Sequence, residues 1–260
     1  MLTLALRRQL HRPQRVLERH WVVARSGFIW VLLGGFFEPF FYLISTDLGF
    51  GSVVDDVSVG SQVVPYAHFV APALMAVSAM NGALYETMNV FFRINYDRSY
   101  AAMLATPVTP ADVVVGDVSW SALRGLIYAL VFYGIMALMG MTSSWWGLLM
   151  VPVAGLIAVA FGSVGMVVAT YMRSIADFDY VPTAMLPLFL FSATFFPVDQ
   201  YGRFAWLLAL SPLYHGVAVL RDLNLGELSW SMLGHLAVLV VLAGVCFVWA
   251  TKRLQKALLS

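Results

Sequence analysis

Between Arg124 and Arg173 the chain runs forty-eight residues without one Asp, Glu, Lys or Arg. That is too long for a single buried helix and fits two membrane crossings of about 20 residues each. The segment Gly140 to Gly147 (GMTSSWWG) supplies a short turn between them, with two Trp suited to an interface belt. The chain therefore reads as one whose solvent is lipid.

The rest of the composition agrees. Hydrophobic residues make up 61% and charged residues 11%, and the mean hydropathy is +0.82. Soluble domains carry roughly 25% charged residues. A length of 260 residues holds about six crossings with short loops and leaves no room for a soluble catalytic domain. The lone Cys246 excludes a disulfide framework or a cysteine metal cluster. Arg7, Arg8, Arg12, Arg15, Arg19 and Arg25 spread too widely for a cleaved signal peptide, and no small-residue cleavage site follows them.

Six crossings are expected, at about 27–48, 63–85, 118–140, 148–172, 180–196 and 228–251. Residues 47–62 form an acidic loop. Residues 86–117 form a polar stretch between the second and third spans. Residues 197–225 are the ambiguous segment, because Pro212 and His215 interrupt the apolar run from Phe204 to Leu220. A seventh crossing there would put the basic C-terminal tail opposite the basic N-terminus, against the positive-inside rule. With six spans only Arg203 and Arg221 of the 15 basic residues lie outside. The segment therefore reads as two short helices that dip into the outer leaflet and return, which protein or water must shield. The fold class is an all-α polytopic membrane protein with both termini inside: residues 1–26 precede a membrane domain at 27–251, and 252–260 form a tail.

Residues 2–25 suit a basic amphipathic helix in the plane of the interface. Val16, Leu17, Trp21 and Ala24 recur at helical spacing, while Arg15, Glu18, Arg19 and Arg25 fall mainly elsewhere. A disordered basic tail is the alternative. In the fourth span Gly155, Gly162 and Gly165, with Ala158 and Ser163, allow close helix contact, within the chain or in a dimer.

The chemistry is as informative for what is missing. No Gly-Lys-Ser/Thr phosphate loop occurs, and both Lys lie in the last nine residues. The five His show no metal-ligand spacing and no nucleophile elbow is present, so neither a metal site nor an enzyme is expected. Ionisable groups at bilayer depth are expensive and hence functional candidates. Glu38 either lines a pathway or caps the helix break at Pro39. Glu86 and Arg124 flank the ends of spans two and three; each reaching water separately is preferred to a pair across helices. His68 and His235 suit helix–helix hydrogen bonds.

Several motifs carry a family likeness in order along the chain: Glu38 to Leu43 (EPFFYL), Tyr85-Glu86-Thr87, Tyr100 to Pro107 (YAAMLATP), Asp112 to Gly116 (DVVVG), Phe195 to Gln200 (FFPVDQ) and Ser211 to His215 (SPLYH), with Arg221 after them. The whole chain resembles the integral membrane subunit of ABC-2-type exporters, most closely the nodulation-factor (lipooligosaccharide) exporter permeases. The resemblance implies a half-transporter in a bacterial inner membrane. Its partners would be a second permease, identical or paralogous, and two copies of a cytoplasmic ATPase subunit that binds the ATP and Mg. This chain would bind no cofactor and no nucleic acid.

The resemblance also assigns roles. A coupling helix around Asp97 to Pro107 would seat in the ATPase. Tyr100, Met103 and Leu104 would form an apolar plug there, beside Asp97, Arg98 and Thr106. The amphipathic helix with Arg15, Glu18, Arg19 and Trp21 would be the interfacial connector. Residues 197–225 would be extracellular re-entrant helices closing the exit, and Glu38, Phe37, Phe41, Tyr42, Phe196, Pro197 and His215 would lie on the substrate path or gate. The aromatic group on span one suits sugar or acyl contact equally with lipid-facing bulk. The expected cargo is a glycolipid or lipooligosaccharide; drug or antibiotic efflux by the same machine is the alternative. An ion-coupled secondary transporter fits less well, because it would show paired broken helices in two related halves and only one broken segment is visible.

Overall fold

The computed structural model describes residues 16–22, 24–25, 28–46, 49, 56–59, 62–97 and 99–259, with the side chains of part of the first long helix and of the last residues outside that description. Helices dominate. A helical stretch at 16–22 precedes α1 (Phe28–Ser45), followed by α2 (Tyr66–Leu84), α3 (Glu86–Asn95), α4 (Ser99–Leu104), α5 (Pro110–Leu138) and α6 (Met150–Ala169). Then come α7 (Tyr180–Leu190), the single turn α8 (Ala205–Leu208), α9 (Pro212–Leu225) and α10 (Ser231–Leu259). Short 3-10 turns lead into α6, α7 and α8.

Local chemistry sets these boundaries. Pro110 opens α5 at a position where a missing N–H costs nothing. Before it, Thr109 Oγ1 accepts from the Asp112 N–H (3.3 Å), and Asp112 Oδ2 accepts from the Thr109 N–H (2.9 Å), a reciprocal capping box. The expected start at 118 is therefore eight residues late. Gly226, at φ +76°, closes α9 in the left-handed conformation that glycine adopts without penalty. Asp177 caps the turn before α7 by accepting from the N–H groups of Arg173 (2.6 Å) and Ser174 (3.1 Å), which hold its carboxyl below the usual range.

Two expectations need correction. Residues 57–59 and 62–64, expected as loop and span, are paired antiparallel strands: β1 (Val57–Val59) pairs with β2 (Gln62–Val64). β-branched Val suits extended backbone, and Pro65 then starts α2 at Tyr66. The fifth expected span, 180–196, is an 11-residue helix that ends at Leu190. Beyond it the backbone turns through Ala193 at φ +53°.

Four of the described helical segments are long and apolar enough to cross a membrane: Tyr66–Asn95, Pro110–Leu138, Trp145–Ala169 and Ser231–Ala257. The first is buried over 89% of its apolar window and the last over 17%, so α2 is central and α10 peripheral. Successive long helices alternate in direction between two ends. The proximal end holds residues 16–22, α3, α4 and the last turns of α10, with Phe91, Tyr100, Val113, Met166 and Leu254 in one apolar cluster. The distal end holds β1 and β2, α9 and the turn after α5; Gln62 donates there to the Leu225 carbonyl (3.3 Å) and Asn224 to that of Met141 (3.2 Å).

Small residues draw α2, α5 and α6 together. A Cβ on Gly125 would lie 2.5 Å from both Ala158 Cβ and the Ala79 carbonyl oxygen; one on Gly165 would lie 2.5 Å from Thr87 Oγ1, and one on Gly162 2.9 Å from Ser121 Cβ. The glycines of span four thus serve contacts inside the chain, where close backbone approach supplies the packing that lipid does not.

Candidate functional site: a buried ionic hub

At the proximal end, helical spacing brings charges onto facing surfaces. Glu86, Asn89 and Arg93 recur at i, i+3 and i+7 on α3, and Asp117, Trp120 and Arg124 do the same on α5. Glu86 Oε1 accepts from Arg124 (2.8 Å) and from the Trp120 indole (3.1 Å); its Oε2 accepts from Arg93 (3.3 Å) and Asn89 (3.1 Å). Arg93 also donates to Asp117 Oδ1 at 2.8 Å. The Tyr100 hydroxyl, from α4, donates to the other oxygen of the same carboxylate. Glu86 and Asp117 side chains are 4% and 1% exposed, so these are buried charges, and two guanidinium groups balance two carboxylates.

The N-terminal helical stretch joins the same cluster. His20 is buried, stacks on Trp120 with ring centroids 5.9 Å apart, and places Nε2 2.6 Å from Asp117 Oδ1. That last approach is a close polar contact and not a hydrogen bond. Arg19 donates to Ser99 Oγ at 3.2 Å, a second link from this stretch to α4. Arg124 lies 5.6 Å from the Tyr85 ring centroid, at the joint between α2 and α3. Four separate helical pieces therefore meet on two carboxylates. Burial and the neighbouring Asp117 charge push the Tyr100 phenol well above the usual tyrosine range, which keeps it a donor.

This geometry corrects the sequence-based picture in three places. Glu86 and Arg124 pair across helices rather than reaching water separately, because Trp120, Asn89 and Arg93 complete the carboxylate's shell. Tyr100 is fully buried and points into the hub, so it is no part of an outward apolar plug; Met103 and Leu104 are half-buried, and Asp97 and Thr106 are exposed. On the N-terminal stretch the inward face is Val16, His20 and Ala24, while Trp21 is 47% exposed along with Glu18 and Arg19. Arg15 and Arg98 lie outside the described residues. Sequence reasoning missed His20, Arg93, Asp117 and Trp120. The i, i+3, i+7 spacing carried the signal for the last three.

A second polar set occupies the distal end. Arg221, on α9, is 6% exposed; it donates to the carbonyls of Ala193 (2.8 Å) and Phe69 (3.3 Å), its guanidinium lying 3.8 Å from the Phe69 ring centroid. His215 meets His235 of α10 with Nδ1 atoms 2.7 Å apart, and its Nε2 reaches the Ala209 carbonyl at 3.0 Å. Of the substrate-path candidates, the Glu38 side chain lies outside the described residues; Phe37, Phe41, Tyr42 and Phe196 are exposed, Pro197 is half-buried and His215 buried. Phe37 and Phe41 stack with centroids 6.0 Å apart. These candidates do not converge on one site. Among the described residues no three His, Cys, Asp or Glu side chains gather as metal ligands.

An apolar helical bundle with its buried charges at the two ends belongs to a membrane protein, and its sequence kinship is specific. Residues 15–225 match the ABC-2 type transporter family, to which the chain belongs. It is 31% identical over 248 residues to Nodulation protein J of Rhizobium leguminosarum bv. viciae, covering 94% of each chain. Nodulation protein J of Sinorhizobium fredii is 30% identical over 248 residues, 94% of this chain and 93% of that one. The inner membrane transport permease YadH of Escherichia coli is 25% identical over 181 residues, 68% and 70% of the two chains.

Proposed function

We propose that the chain is the transmembrane subunit of an ATP-binding-cassette exporter. It moves an amphiphile, a glycolipid or lipooligosaccharide, out across the bacterial cytoplasmic membrane, and a separate cytoplasmic ATPase in two copies drives it. A second permease, identical or paralogous, completes the pathway. Six spans arise by adding α1 and the helical stretch 175–190, α7 with the 3-10 turn that leads into it, to the four long apolar segments, with residues 1–26 as connector and 252–260 as tail. The proximal end is cytoplasmic, in keeping with Arg19, Arg25, Arg173, Lys252, Arg253 and Lys256 gathered there. The segment 197–225 dips into the outer leaflet and returns.

The observation that carries this reading is the contact of α4 with the hub. Asp97 and Thr106, flanking the two ends of α4, are exposed, while Tyr100 within it bonds to Asp117 inside the bundle. The ATPase, holding ATP and Mg, closes on α4. Separating buried opposite charges costs several kcal/mol per unpaired ion, so a push on α4 moves α3, α5 and the connector as one body and tilts α2 with them. Membership of the ABC-2 type transporter family and the similarity to an inner membrane transport permease support the permease reading; the amphiphile class rests on the motif likeness alone. Affinity purification of the chain from its native membrane, with mass spectrometry and an ATPase assay, tests the reading. Recovery of a stoichiometric ATP-binding subunit with vanadate-sensitive turnover is expected; a permease that purifies without any such subunit in mild detergent contradicts it.

A further inference from the structure

A cleft of about 190 Å³ opens between the fixed helix α2 and the lightly anchored α7, with Tyr42 of α1 at its rim and Phe132 of α5 at its back. Met185, Leu186 and Phe189 form the α7 wall. That wall is loosely held: Val181 is the one residue of α7 that is buried, and Pro187 interrupts its backbone bonding. The lining is mostly apolar, with Asn81 and Ser78 of α2 as its polar members, and Ser78 is the buried one. Ser78 is 3% exposed and, among the described residues, its hydroxyl has no hydrogen-bond partner. A helical serine at bilayer depth ordinarily bonds back to the preceding turn, as Ser121 and Ser163 do here. An unmade buried hydrogen bond is a loss carried by the empty protein, and a ligand that brings an acceptor removes it.

We propose that this cleft binds one acyl chain of an amphiphile, with the Ser78 hydroxyl donating to the ester or amide carbonyl at the head of that chain. The volume holds the first part of one chain, and the remainder lies along the lipid-facing side of α7. Sites for whole drug-sized ligands run from about 300 to 1,000 Å³, so a sugar head has to remain outside, on the exposed side of Tyr42. Ser78 lies eight residues from Glu86, roughly 12 Å along the helix at 1.5 Å per residue. The carbonyl then sits within the leaflet on the hub side, and a motion of α2 driven from the hub changes the gap to α7. This inference rests on the exporter reading for its purpose, and its chemistry could be met by an exported amphiphile or by a membrane phospholipid.

Photolabelling of the full chain, purified with whatever partners accompany it, separates these sources without reference to ATP turnover. Two probes carry the same diazirine-bearing acyl chain, one on an N-acylglucosamine and one on phosphatidylethanolamine. Labelling is expected on the α2 and α7 peptides. Ser78→Ala weakens it about five-fold, the effect of one neutral hydrogen bond, while leaving thermal stability unchanged or higher because an orphan hydroxyl has gone. Leu186→Trp, which fills the slot from its exposed rim, abolishes it. Preference for the glucosamine probe assigns the slot to cargo, and equal Ser78-dependent labelling by both assigns it to any acyl lipid; either outcome supports the site. Labelling spread over all lipid-facing peptides, indifferent to both substitutions, overturns it. The presence or absence of a co-purifying ATPase bears on the exporter reading alone.

Discussion

Glu86 is the residue on which the proximal end depends most, because its two oxygens satisfy two arginines, an indole and an amide. Removing one member of a buried charge pair typically costs about 3–5 kcal/mol, since the partner charge is stranded. Glu86→Ala should therefore lower the thermal midpoint in detergent sharply, and Glu86→Gln, which keeps the shape and some hydrogen bonds, less so. Tyr100 gives a test by pH. Its folded-state pKa is raised above the unfolded value, by burial first and Asp117 second. Its contribution is thus complete below the ordinary tyrosine range near ~10 and is lost as pH rises through that range toward the folded value. The native chain should lose stability above pH ~10 more steeply than Tyr100→Phe, which itself costs about 1.5–3 kcal/mol at neutral pH for a bond to a charged acceptor. Parallel melting curves across alkaline pH would contradict the assignment. These partnerships were only partly legible in the sequence. Each hub residue is an ordinary polar residue near a helix end, and what ties the helices together is a partner 17 to 97 positions away. His20 in particular stands in a basic stretch where an aromatic ring looked like the natural inward residue, yet Trp21 faces out and His20 in.

At the scale of elements, apolar runs gave the long helices, because lipid leaves a backbone little choice but to bond within its own segment. The ends were less legible. The capping box at Thr109 and Asp112 was readable and moves the start of α5 to Pro110, which places Asp117 on a helix rather than in a loop. The pairing of β1 with β2 was not, since three-residue strands carry too little periodicity. The early end of α7 follows from a serine and carbonyl network: Ser192 and Ser211 bond at 2.8 Å, and Arg221 holds the Ala193 carbonyl. Tight packing of α2, α5 and α6 yields a firm expectation. Gly125→Ala puts a methyl 2.5 Å from a carbonyl oxygen and from Ala158; it should destabilise the bundle by about 1–3 kcal/mol, as overpacking does, read as a lower melting midpoint. For α4, Asp97→Ala and Met103→Ala should leave membrane insertion intact and weaken recovery of the ATPase on affinity purification. Unchanged recovery with both would remove α4 from the docking surface.

For the whole molecule, the two polar clusters divide the labour in space. Between them lies a bundle in which α2 is enclosed and α10 largely faces outward. One end joins the connector, α3, α4 and α5 through buried charge; the other joins α9 to α2, the turn after α7 and α10 through Arg221 and the His215–His235 contact. A displacement applied to α4 therefore reaches the centre of the bundle before it reaches the distal end, and α7, being least anchored, is the helix freest to respond. The direct measurement is ATP turnover and amphiphile export together, in proteoliposomes holding the complete complex with Asp117→Asn or Tyr100→Phe in this chain. Hydrolysis that persists while export per ATP falls several-fold is the predicted result, because the motor still runs on α4 but the hub no longer carries its motion. Export per ATP equal to the native complex in both variants would contradict the account.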